Sequence, residues 1–340
     1  MISVVVSCYN EESYIEEALE SVVNQTGWEY IDEVIVVDDG SEDNSGSLIK
    51  NFADKYQKIH YIFQSNQGVS VAKNRGIKAS DSDWIAFLDG DDQWEPGKIE
   101  KQVDFVLEHP EVGLVYTDYF IKEKSDQEVP RVASHYTYDQ NREKVLEGLF
   151  ITGGPVFPST VLVRRACLDD VGLFDPEFSR SQDFDLALRV AAQYPIHHIP
   201  EQLIVKNEGS GNLSSDYEKA AKDLRKIVKK IVKNYPQLES LKREKLARID
   251  LGQGYYYLKD SRRQKGRAYL SKALSKYKWM PKAYLYTAIS LIPLFNPADI
   301  LSLVKTPWFL AKNVHRRYLK GKQNLTEILK AFRKVNSRKS

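Results

Sequence analysis

The chain has 340 residues, 28% of them charged and 42% hydrophobic, a formal net charge of +2 and two cysteines. That length suffices for two domains, and the composition excludes a disordered, collagen-like or disulfide-stapled chain. No apolar run reaches the ~18 residues that a membrane span needs. The start, MISVVVSCYN, enters a strand pattern without a basic leader, so no secretory signal is expected. Cys8 and Cys167 lie in apolar surroundings and point to a reducing compartment. The small net charge hides an asymmetry: residues 305–340 carry eleven Lys and Arg against one acid, Glu327, a local charge of +10 that leaves −8 elsewhere. An acidic body with a basic tail suits an anionic partner, either lipid head groups or nucleic acid.

In chain order, ISVVVS (2–7) reads as a strand, YIEEALESVVNQ as a helix with Ile15, Leu19, Val22 and Val23 on one face, and EVIVV (33–37) as a second strand. The cycle repeats with a helix over 46–56, a strand over 60–63, a helix over 69–79 and a strand over 84–88. Alternation of this kind implies a mostly parallel sheet flanked by helices, an α/β fold of Rossmann-like type. Further strands are expected over 113–119 and 159–163, and an amphipathic helix over 183–193. From about Tyr217 helical spacing dominates. There, LGQGYYYLKDSRRQKGRAYLSKALSKYKWMPKAY places small residues and aromatics as in a tetratricopeptide-like hairpin. The expected division is an α/β domain over 1–215 and a helical region over 216–340. In the latter, Trp308 and Phe309 beside Lys and Arg suit either an interfacial helix on an anionic leaflet or a core helix with a solvated tail.

The residues with chemistry stand where these strands end. WIAFLDGDDQWE drives an apolar strand into Asp89, Asp91 and Asp92, and like charges so close repel unless a cation joins them. An Asp-x-Asp there suits a hard divalent ion bridging a diphosphate, although alone it is also an ordinary turn or helix cap. The first strand ends in Ser7-Cys8-Tyr9-Asn10-Glu11 and the second in Asp38-Asp39-Gly40-Ser41. Parallel strands would bring all three ends to one sheet edge, where open α/β sheets bind ligands. Tyr9 offers a flat face for a base, Asp38 or Asp39 an acceptor for a uracil imide or ribose, and Gly40 close backbone approach. The cations of Asn66-Gln67-Gly68 through Lys73, Asn74 and Arg75 could face phosphate.

Taken together, VVVSCYNEESYIEEALESVVNQT, EVIVVDDGSEDNS and NQGVSVAKNRGIKASDSDWIAFLDGDDQWEPGKI resemble the N-terminal half of family 2 glycosyltransferases with the GT-A fold. The likeness continues through FPSTVLVRRACLDDVGLFDPEF and SQDFDLALRV to IPEQLIVKNEGSGNLS, about residues 1–215. It implies transfer of a sugar from a nucleotide-diphosphate sugar to an acceptor hydroxyl with inversion. It also implies that Tyr9, Glu11, Asp38 and Asp39 match the nucleotide pocket. Asp91 is then the direct ligand of Mg²⁺ or Mn²⁺, Asp89 a ribose contact or water-mediated ligand, and Asp183 the catalytic base.

Three positions depart from the family pattern. Gln182 stands where a glutamate is common, Lys73 where arginine is common, and VKNEGSG (205–211) lacks a frequent histidine, for which Glu208 is the available substitute. No Gln-x-x-Arg-Trp segment is present, which favours addition of a single sugar. The expected partners are a nucleotide-diphosphate sugar, a glycan or lipid-linked acceptor and an anionic membrane surface, with no nucleic acid. The expected location is the cytoplasmic face of the membrane. The competing reading is an inactive nucleotide- or glycan-binding module of the same fold with a helical partner platform. A nucleotidyltransferase is disfavoured, because Ser7-Cys8-Tyr9-Asn10 replaces the Gly-rich phosphate loop it would need.

Overall fold

Every residue of β1 (Ile2–Cys8) is buried, as a strand covered on both faces requires, and β1 lies between two parallel neighbours. The structure is a computed structural model and describes residues 1–122, 128–131, 141–153, 156–207 and 217–291. α1 (Ile15–Val23) leads to β2 (Ile31–Asp38), α2 (Ser45–Lys55) to β3 (Ile59–Phe63), and α3 (Val69–Ala79) to β4 (Trp84–Asp89). Next come β5 (Asp92–Trp94), α4 (Lys98–Glu108), β6 (Leu114–Lys122), β7 (Glu128–Arg131), α5 (Arg142–Thr152), β8 (Val161–Arg164), α6 (Arg165–Val171), α7 (Gln182–Gln193) and β9 (Ile196–Asn207).

The strand order is β3-β2-β1-β4-β8-β6-β9-β5, with β7 on β6. The first four are parallel, as alternation with helices demands; β8 then enters antiparallel to both β4 and β6, and β6 and β9 run parallel. Only Gly90 and Asp91 separate β4 from β5, too few for the crossover a parallel neighbour requires, and β5 pairs antiparallel with β9 instead.

Alternate side chains divide between two cores, following the period of two. Val5, Ile85, Phe87, Leu114 and Tyr116 face Ile77, α5 and α7, while Val4, Val6, Ala86, Leu88 and Val115 face Ile15, Leu19, Val22, Ile49 and Ile99. The helices that follow are α8 (Tyr217–Asn234), α9 (Glu239–Lys259), α10 (Arg263–Lys276) and α11 (Pro281–Leu291). Ile227, Val228, Ile231 and Val232 of α8 join the same core as α7, so the first compact unit, Met1–Gln253 with Ser271–Met280, continues past residue 215. In the second unit, Gly254–Leu270 with the chain from Pro281, α9 and α10 meet at glycine. A side chain on Gly254 would lie 2.7 Å from Leu270, and one on Gly266 2.6 Å from Leu258. Among the described residues no helix is long and apolar enough to cross a membrane. Trp308, Phe309, the basic segment 305–340 and Glu208 lie outside the described residues.

α3 lies so close to β1 that a Cβ on Gly76 would stand 2.3 Å from Val5 Cγ1. Gly76→Ala is expected to destabilise the protein by about 1–3 kcal/mol through overpacking. Urea denaturation checks this, with part of the loss recovered when Val5→Ala is added.

Candidate active site

Register brings the polar strand ends together: Cys8 pairs with Asp38 across β1 and β2, and Ser7 with Asp89 across β1 and β4. Beyond β1 the chain turns at Asn10, a left-handed residue with φ 57°. This turn is laced to the one after β2: Asn10 N–H donates to Ser41 Oγ at 3.0 Å, Glu11 N–H to Ser45 Oγ at 2.8 Å, and Glu42 N–H to Asn10 Oδ1 at 2.8 Å. Tyr9 is left exposed, with its ring available for stacking.

Asp38 and Asp39 are buried and their carboxylates serve the protein itself. Asp38 accepts from Ser41 N–H at 2.8 Å and from the Tyr61 hydroxyl at 2.9 Å. Asp39 accepts from Gln64 Nε2 at 2.7 Å, Gln67 N–H at 2.9 Å and Gly68 N–H at 2.8 Å. The pair thus fixes the turn after β2 and the loop before α3, beside which a hydrogen bond to a base or ribose is expected. Gly40 allows this turn: its φ is 82°, and a Cβ would lie 2.7 Å from the Asn66 nitrogen. Arg75 is exposed and reaches Gln64 Oε1 at 3.5 Å, on the Asp39 side and away from the acidic cluster.

The cluster stands at the end of β4. Lys73 is 1% exposed and places Nζ 2.6 Å from Asp89 Oδ1, to which Ser7 Oγ also donates at 3.2 Å. Ser159 accepts from Asp89 N–H at 3.1 Å and donates to Asp92 at 2.6 Å, clamping both sides of the Asp89–Asp92 turn. Lys206 of β9 lies 3.3 Å from Asp92, and Asn207 Nδ2 donates to the Asp91 carbonyl at 2.7 Å. Glu11 leans over the turn, with Cγ 3.5 Å from where a Gly90 Cβ would be. Asp183, second residue of α7, is close enough to feel the charges of Lys73 and Asp89, and its Oδ1 accepts from Phe184 N–H at 2.8 Å.

These charges do not balance. Counted as ionised, the four carboxylates Glu11, Asp89, Asp91 and Asp92 face two ammonium groups, Lys73 and Lys206, a formal excess of two negative charges that the upward shifts of Glu11, Asp91 and Asp92 relieve by favouring their protonated forms. Burial tends to raise Asp89, but Lys73 and Lys206 outweigh it and hold the carboxyl below its ordinary range. Asp91 lacks such a close partner. Burial and then Asp92 push it up to about 7, while burial, Asp91 and Asp89 push Glu11 up to about 8. Burial also raises Asp183, with Lys73 and the Phe184 N–H opposing it. A residual charge of two on oxygen donors fits one hard divalent cation. Among the described residues no three Asp, Glu, His or Cys side chains converge as a ready ligand set, so phosphate and water would fill most positions.

Sequence reading missed Ser7, Ser159, Lys206 and Asn207. The signals available were Ser7 at the polar end of the first strand, Ser159 at the start of the expected strand 159–163, and Lys206 and Asn207 in the segment examined for a histidine.

A sequence model described as Glycosyl transferase family 2 matches residues 3–171. The chain belongs to that family. An uncharacterized glycosyltransferase of Rickettsia typhi is 30% identical over 205 residues, covering 58% of this chain and 62% of that relative. The putative teichuronic acid biosynthesis glycosyltransferase TuaG of Bacillus subtilis is 34% identical over 109 residues, 32% of this chain and 42% of that relative. This family 2 chain therefore spans less than two thirds of the length of these relatives. Among solved structures, S. aureus TarS 1-349 in complex with UDP-GlcNAc matches with a TM-score of 0.58 at 19% identity, over 81% of each chain. The mannosyltransferase PcManGT from Pyrobaculum calidifontis, in complex with GDP-Man and Mn²⁺, matches with a TM-score of 0.59 at 18% identity, over 88% of this chain and 82% of that one. At these identities the likeness bears on the fold, which is the GT-A arrangement.

Lys73→Met is expected to cost about 3 kcal/mol in urea unfolding, because it strands a largely buried carboxylate. Adding Asp89→Asn should restore part of the loss in a double-mutant cycle; an unchanged midpoint for the single variant would refute the pairing.

Proposed function

We propose that this chain transfers one sugar, with inversion, from a nucleotide-diphosphate sugar of the UDP type to a hydroxyl of a glycan or lipid-linked glycan in cell-surface polysaccharide synthesis. The observation that carries the reading is the gathering of Glu11, Asp89, Asp91 and Asp92, more carboxyls than the neighbouring ammonium groups match, at the sheet edge where β1 leads into Tyr9 and within electrostatic reach of Asp183. A diphosphate and a divalent cation together suit such a surface, whereas a phosphate alone would be repelled by it.

Each residue has a stated part. Tyr9 stacks on the base, and the loop shaped by Asp38 and Asp39 encloses the nucleoside. Lys73 keeps Asp89 ionised inside the protein and orients it. Asp91, with Asp89 beside it, would hold Mg²⁺ or Mn²⁺; when bound, the ion neutralises charge on the departing diphosphate. Asp183 accepts the acceptor's proton as its oxygen forms a bond to the anomeric carbon and the bond to the diphosphate oxygen breaks. The upward push on Asp183, from burial, strengthens its hold on a proton, as a general base requires. A single displacement of this kind inverts the anomeric centre. The UDP-GlcNAc and GDP-Man described for the two structural relatives support a nucleotide-sugar donor, and the teichuronic acid role printed for TuaG supports a cell-surface product.

Asp183→Asn is expected to lower transfer about 10³-fold or more with nucleotide affinity unchanged. Asp91→Ala should weaken both and remove any Mn²⁺-dependent thermal stabilisation by the sugar nucleotide. A sugar-nucleotide screen by transfer assay and thermal shift reads both, and normal turnover by Asp183→Asn would reject the base. The basic segment 305–340 is proposed to hold the enzyme at an anionic leaflet. Flotation with anionic liposomes should then separate the full chain from one ending near Pro281, and equal flotation of the two would discard that role.

A further inference from the structure

The helix that carries Asp183 begins in an unusual way. Its N-cap, Ser181, is left-handed with φ 58° and ψ 22°, and makes no side-chain capping bond. An N-cap normally lies in the extended region and covers an exposed N–H with its side chain. A non-glycine residue in the left-handed region costs about 1–2 kcal/mol and persists only when its surroundings impose it. Something outside α7 therefore has to fix the backbone that aims Asp183.

That contact comes from α8. Asp223 is 5% exposed, and its Oδ2 accepts from Ser179 N–H at 3.0 Å, Arg180 N–H at 2.9 Å and Ser179 Oγ at 3.2 Å. One carboxylate oxygen thus grips two consecutive peptides just ahead of the strained residue. Lys226 and Lys230 lie three and seven positions on, along the same helical face. Lys226 pairs with Glu177 at 2.8 Å, and Lys230 with Asp175 at 2.7 Å and Asp185 at 3.0 Å. On the other side, Asn74 of α3 exchanges two hydrogen bonds with Phe174, at 2.8 and 3.0 Å. The segment 174–180 is held between α3 and α8: Ser70 Oγ of α3 donates to the Phe178 carbonyl at 3.4 Å, and Asp223 binds the next N–H groups along, those of Ser179 and Arg180, the latter one residue before Ser181.

We propose that Asp223 is a positioning residue for the reaction: by anchoring the peptides of Ser179 and Arg180 it imposes the left-handed turn at Ser181 and so sets the direction of Asp183. The proposal rests on the reading of Asp183 as the base. Asp223 lies beyond the residues matched by the family model, which end at 171, so a helix of the C-terminal region would complete the site.

The test is steady-state kinetics of the full chain with a donor identified by the screen, alongside nucleotide affinity and thermal stability. Asp223→Ala is expected to lower kcat about 10- to 100-fold with donor KM and nucleotide Kd unchanged, as misplacement of a reacting group by about 1 Å does. Asp223→Asn keeps an acceptor oxygen and should retain most of kcat. Adding Ser181→Gly to Asp223→Ala should restore much of the loss, because glycine enters the left-handed region without penalty. A structural role alone would lower the melting temperature and leave kcat per folded molecule intact, and that result overturns the proposal. If Asp223→Ala does not fold, Asp223→Leu, close in volume and a good helix former, is read by the same criteria; if neither folds, the contact holds the fold and not the turn, and the proposal fails. Asp183→Asn in the same assay separates the two readings. Full turnover there rejects the base itself, whereas an inactive Asp183→Asn beside a wild-type Asp223→Ala rejects only the positioning role.

Discussion

Excess negative charge at the end of β4 is the constraint on which the rest of the site depends. Packing Glu11, Asp89, Asp91 and Asp92 around one turn is unfavourable, and the protein offsets only half of that charge from within. Lys73 comes from α3, the helix just before β4, and Lys206 from β9, more than a hundred positions along the chain. Those two cations keep Asp89 ionised and attached to the protein, while Asp91 and Glu11 remain short of positive charge. In the proposed reading a divalent cation and its diphosphate take up that excess, and Asp183 lies within electrostatic reach of Lys73 and Asp89.

The surrounding turns are built to hold this arrangement rigid. Ser159 joins the two ends of the Asp89–Asp92 turn, and Asp39 gathers three donors from the loop before α3. Buried carboxylates used in this way hold their neighbours in place through several donors at once. Asp185 illustrates the same economy on α7. It is fully buried and pairs with Arg189, whose guanidinium also donates to the carbonyls of Val171, Gly172 and Leu173, so the segment after α6 is tied to the helix that carries Asp183.

Much of the sheet was legible before the structure. The β-branched runs at 2–7, 33–37 and 84–88 became β1, β2 and β4, and the edge where their polar ends meet followed from parallel pairing. Less legible were β5 and β9, because Asp92–Trp94 is too short to show a period and Ile196–Asn207 mixes buried and exposed positions without strict alternation. Lys226 and Lys230 lie in the basic run KAAKDLRKIVKKIVKNY, whose spacing names no partners. They pair with Glu177, Asp175 and Asp185, a match that periodicity along α8 could not foresee.

By itself, the sequence determined the alternating elements, the family resemblance and the residues able to bind a cation or accept a proton, because those depend on local spacing and side-chain chemistry. Only the tertiary structure decided how each carboxylate is used. Asp38 and Asp39 are spent on internal hydrogen bonds, Asp89 on Lys73, and Asp91 is left without such a partner, though all are aspartates at strand ends. The physical reason is that a carboxylate's role depends on the charges and donors within a few ångströms. Here those come from residues 23 to 114 positions away, such as Tyr61, Ser159 and Lys206, or from the crossover helix α3, as Lys73 does.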